Sequence, residues 1–155
     1  MTTFLLSIIT ALSMQGGNVI TTYVSGSCDT VALKIPMGVT RDSAQAIMST
    51  IGMKLTTGKN GIETYSTTSA SLLFVVSYKQ ATVNSVFMYI RYDILTEAEH
   101  AAETVNHMLA TNHGEHDPKT QYFLRRCYDA TYAVRASPET LATGSYLCLA
   151  MIAVR

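Results

Sequence analysis

The chain has 155 residues, enough to enclose one hydrophobic core. Eleven Lys and Arg balance eleven Asp and Glu, so no overall basic footprint for nucleic acid is present, and a composition 48% hydrophobic and only 14% charged is the reverse of a disordered chain. Thr and Ser, 21 and 13 of them, take much of the surface that Lys and Glu ordinarily cover.

Residues 3–15 carry Phe4, Leu5, Ile8, Ile9 and Leu12 at helical spacing, with Gly16-Gly17 as a stop, and predict a helix. The same uncharged stretch resembles a signal core over Phe4 to Leu12 but lacks a basic flank, and retention of Met1 argues against its removal. Two strands, 18–25 and 30–36, follow around a Ser-Gly-Ser-Cys-Asp turn. Thr40 is placed to cap a helix bearing Ala44, Ile47, Met48 and Ile51, which Gly52 ends.

The period then changes from 3.6 to 2. Residues 53–57 and 62–67 flank Gly58-Lys59-Asn60-Gly61, whose Asn-Gly pair suits a tight hairpin. Strands are also expected over 71–79 and 83–94, the second apolar on both faces and so covered on both. Thr96 and Glu99 form a capping box for a helix over 97–112, with a stripe of Ala98, Ala101, Ala102, Val105, Met108 and Leu109. Asp117-Pro118 reads as the start of a further helix burying Phe123, Cys127, Ala130 and Val134, and Ser137-Pro138 as the start of an apolar last helix over 138–153. The expectation is a single α+β domain over residues 1–155 in the order α-ββ-α-ββββ-ααα, with a mainly antiparallel sheet of five or six strands and helices packed on it.

Cys28, Cys127 and Cys148 make no CxxC pair, and their odd number points to a reducing, cytoplasmic or intracellular compartment, with Cys127 and Cys148 as core thiols. A virion also suits the small, Thr-rich, weakly charged composition. No stretch reaches about 18 apolar residues, so no membrane span is expected.

Two clusters stand out. Six acids and all four histidines fall between Asp93 and Asp117 without a Lys or Arg. On a helix, His100, Glu103 and His107 share the face opposite the apolar stripe, and i, i+3 and i, i+4 spacing suits convergence on a divalent metal such as Zn, with His113 and His116 nearby. The competing reading is a solvated helix face with no cofactor. In the following segment, Arg125, Tyr128, Tyr132 and Arg135 cluster on one side of the expected helix, and Tyr and Arg are favoured at interface cores. With a net charge of zero opposing association only weakly, the favoured function is a non-enzymatic interaction or self-assembly subunit whose partner is itself or another protein. Nucleic acid and membrane are disfavoured. The alternative is a small metal-dependent hydrolase or metal-binding regulator built on the histidines.

Overall fold

The structure is a computed structural model that describes Tyr23 and residues 37–113, 115–127 and 130–154, the side chain of His113 excepted. The expected helix over 3–15 and the strands over 18–25 and 30–36 lie outside the described residues. Those described form an α+β arrangement of two helices and a seven-stranded antiparallel sheet.

Helix α1 spans Arg41–Thr50, and its start and stop follow the expected chemistry. The Thr40 hydroxyl accepts from the Ser43 amide, and Gly52, at φ +79°, lets the Met53 amide turn back to the Met48 carbonyl at 2.9 Å. Strands β1 (Lys54–Lys59) and β2 (Ile62–Ser66) are joined by Asn60-Gly61, both with positive φ, the conformation that a two-residue hairpin twisting with its strands requires. Strands β3 (Leu72–Lys79) and β4 (Thr82–Tyr92) continue the meander. Helix α2 runs from Leu95 to His113, starting two residues before the expected boundary, with Ala98, Ala101, Ala102, Val105 and Leu109 buried.

Beyond α2 the expected helices are corrected to strands: β5 (Phe123–Cys127), β6 (Ala130–Leu141) and β7 (Gly144–Val154). The sheet order is β1-β2-β3-β4-β7-β6-β5. Each misread start signal has another use. The Asp117 carboxylate accepts from the Lys119 amide and the Thr120 hydroxyl, both at 2.9 Å, closing a turn rather than opening a helix. Pro138 sits in β6 opposite Leu147, past the point where β5 pairs with β6. Two residues earlier, the Ala136 amide and carbonyl face away from β7, where Asn106 of α2 bonds both, at 2.9 and 2.8 Å. The Pro138 nitrogen faces the same side, so its missing N–H breaks no ladder bond.

Alternation gives the sheet two faces. On the core face Leu72, Phe74 and Val76 meet Ile90, Met88 and Val86 in register, and these meet Leu147, Leu149 and Met151 of β7. Both helices pack here, α2 over β6 and β7 through its alanine stripe, and α1 through Ala44 and Met48. Cys127 is corrected from core thiol to half of a disulfide, a bond that persists where the surroundings are oxidising, whereas Cys148 is free and buried.

Candidate functional site

The most concentrated polar chemistry in the described structure is a buried carboxylate. Glu63 is in β2, two residues from Tyr65, so period 2 sends it to the core face, where only 1% of it remains exposed. A bare carboxylate there would be strongly disfavoured, and donors from three elements surround it. From α1, Arg41 and Gln45, one helical turn apart, give Oε1 a bond from Arg41 Nε at 2.6 Å and one from Gln45 Nε2 at 2.9 Å, with Arg41 Nη2 also at 2.5 Å. Oε2 accepts the hydroxyls of Tyr65 at 2.5 Å and Tyr78 at 2.6 Å. Tyr78 reaches it diagonally from β3, because Glu63 pairs with Val76. The Arg41 guanidinium also lies 5.7 Å from the centre of the Tyr78 ring.

Burial alone pushes the Glu63 carboxyl upward, but the bonds from Tyr65, Tyr78, Arg41 and Gln45 outweigh it and bring it down to about 2. The same contacts work oppositely on the phenols. Burial and the Glu63 bond push Tyr65 up to about 12 and raise Tyr78 further. With both oxygens occupied by strong donors, Glu63 has no lone pair to offer a substrate proton; the constellation is a latch holding α1 to β2 and β3.

Since the carboxyl is lowered on folding from 4.5, the stability it contributes is full above about pH 4.5 and is lost as the pH falls towards 2. Urea unfolding between pH 6 and 3 should show an acid limb of on the order of 2–3 kcal/mol that Glu63→Gln, which does not titrate, flattens. An equally steep limb in the variant would contradict the assignment.

Of the clusters expected from sequence, the His-Glu-His set of the first remains on α2, and the second divides between the two faces of the sheet. His100, Glu103 and His107 are exposed along the outer side of α2. His116 stacks on Phe123 with ring centres 4.7 Å apart. Among the described residues, no three His, Cys, Asp or Glu side chains come together to hold a metal ion. Arg125 and Tyr132 are cross-strand partners on the core face, Arg125 1% exposed and donating to the Tyr23 carbonyl. Arg135, three residues from Tyr132, is on the other face, its guanidinium 4.7 Å from the centre of the Tyr122 ring. Tyr128 lies outside the described residues.

That other face, on which neither described helix packs, carries Leu73 and Val75 of β3 directly opposite Tyr89 and Phe87 of β4. All four are partly exposed. Beyond them on β7, Tyr146 is buried edge-on to Tyr89 at 6.2 Å, and burial pushes the Cys148 thiol up to about 11, which keeps it protonated and unreactive. No helix among the described residues is long and apolar enough to cross a membrane. In comparisons with known proteins, no family model, no curated protein and no solved structure matches the chain.

Proposed function

We propose that the chain is a non-enzymatic interaction subunit that assembles with copies of itself through the face of the sheet opposite its helices. The observation that carries this reading is the apolar square of Leu73, Val75, Phe87 and Tyr89, two cross-strand pairs side by side and partly exposed. Contiguous apolar surface of this kind, with aromatic side chains at its centre, marks protein contacts. A net charge of zero leaves little repulsion between copies. Of the residues singled out from sequence, Arg135 belongs to this face.

Light scattering coupled to size exclusion is the test. The expected mass exceeds the 16.9 kDa of one chain and falls to it in Phe87→Asp, which places a charge within the square while leaving the core face intact. A wild-type chain of single-chain mass at tens of micromolar would overturn the reading.

A further inference from the structure

The two sides of the molecule differ in charge. From Asp93 through the end of α2 there are four acids, Asp93, Glu97, Glu99 and Glu103, and no Lys or Arg. On α2, Glu99 and Glu103 are exposed away from the alanine stripe. The far face of the sheet is the reverse. By register, Lys54 and Lys59 of β1 share the side of Leu73 and Val75, Arg91 of β4 follows Phe87 and Tyr89, and Arg135 of β6 lies beyond β7. Lys54, Lys59 and Arg91 are exposed, and Glu139 is the one acid of this face among the described strand residues. Arg126, also on this side, is already paired with Glu115 at 2.8 Å.

Among the described residues, the outer side of α2 is thus acidic and the far face of the sheet basic. We infer that its copies associate head to tail, the acidic outer face of α2 in one copy docking on the cation-rimmed sheet face of the next. This deepens the assembly reading above and rests on it. The dimensions agree. Helix α2, of 19 residues, is about 28 Å long, and the five strand spacings from β1 to β6 span about 24 Å. Two copies meeting face to face through their sheets would instead oppose cation to cation. Because the two patches differ, the contact is heterologous, and repetition gives rings or open filaments rather than a closed two-fold pair. Attraction between exposed charges is screened by salt, so the assembly is salt-sensitive.

The deciding experiment compares wild type, Glu99→Lys/Glu103→Lys and Lys59→Glu/Arg91→Glu by light scattering at about 50 mM and 500 mM salt, where screening lengths differ severalfold. All substituted side chains are exposed, and circular dichroism and thermal melts of each variant alone confirm folding. The expected result is a wild-type mass that falls at least twofold at high salt. Each variant alone has single-chain mass, and an equimolar mixture regains high mass, because each altered patch now complements one on the other variant. A wild-type assembly indifferent to salt and unchanged by both substitutions would overturn head-to-tail docking while leaving self-assembly standing. A wild-type monomer at low salt would overturn both.

Discussion

Glu63→Leu is expected to lower the unfolding free energy by about 3 kcal/mol, because it leaves the Tyr65 and Tyr78 hydroxyls without their acceptor, at roughly 1–3 kcal/mol for each buried group so stranded. Arg41 contributes less to the loss, since 54% of its side chain is exposed and water can replace the carboxylate. The cost of an orphaned hydroxyl disappears if the hydroxyl is removed. Glu63→Leu combined with Tyr65→Phe and Tyr78→Phe should therefore recover more than half of the lost stability, even though it deletes more polar contacts. Urea denaturation of the three proteins, wild type, single and triple variant, measures both quantities. A Glu63→Leu loss under about 1 kcal/mol, or a triple variant worse than the single one, would mean that the latch contributes through something other than satisfaction of buried polar groups.

Phe74→Ala should be the most damaging single truncation in the hydrophobic core, at about 3–5 kcal/mol. Its ring is fully buried in β3, between Tyr65 on β2 and Met88 on β4, where flanking strands hold the backbone and limit collapse into the vacated space. Leu55→Ala is the matched control. Leu55 is an apolar strand residue too, but 51% of it is exposed at the sheet edge, and its truncation should cost less than about 0.5 kcal/mol. If the two variants melted alike, the contrast between the buried centre of the core face and its exposed edge would be wrong.

The elements legible in the sequence were those with one face in the core and one in water. Thr40 and Gly52 bracket α1, Asn60-Gly61 turns the hairpin, and the stripe from Ala98 to Leu109 marks α2. Strand β7 defeats the same reading for a physical reason. Lying between β4 and β6, it is buried on both faces from Tyr146 to Met151, so its sequence runs apolar without alternation and looks like a buried helix. The error propagated to the interface cluster. Arg125, Tyr132 and Arg135 share a side only at helical period, and at period 2 Arg135 is turned to the opposite face. Glu63 left a fainter trace. A carboxylate two residues before Tyr65 in a strand shares the face of a buried aromatic and must find donors, but Arg41 and Gln45 are too distant in sequence for spacing to name them.

The position of β7 governs how the molecule can reach its folded state. Strands β1 to β4 form by successive turns, and β5 with β6 pair locally, but the two groups are joined only where residues 85–92 of β4 meet residues 145–152 of β7. That junction closes a loop containing all of α2, β5 and β6, and its ordering cost falls due before the Met88 and Leu149 contact can offset it. Folding is therefore gated by one long-range encounter at the middle of the sheet. Until it occurs, both β4 and β7 present open edges to solvent and to neighbouring chains, and that waiting period is when such a chain is exposed to misassembly.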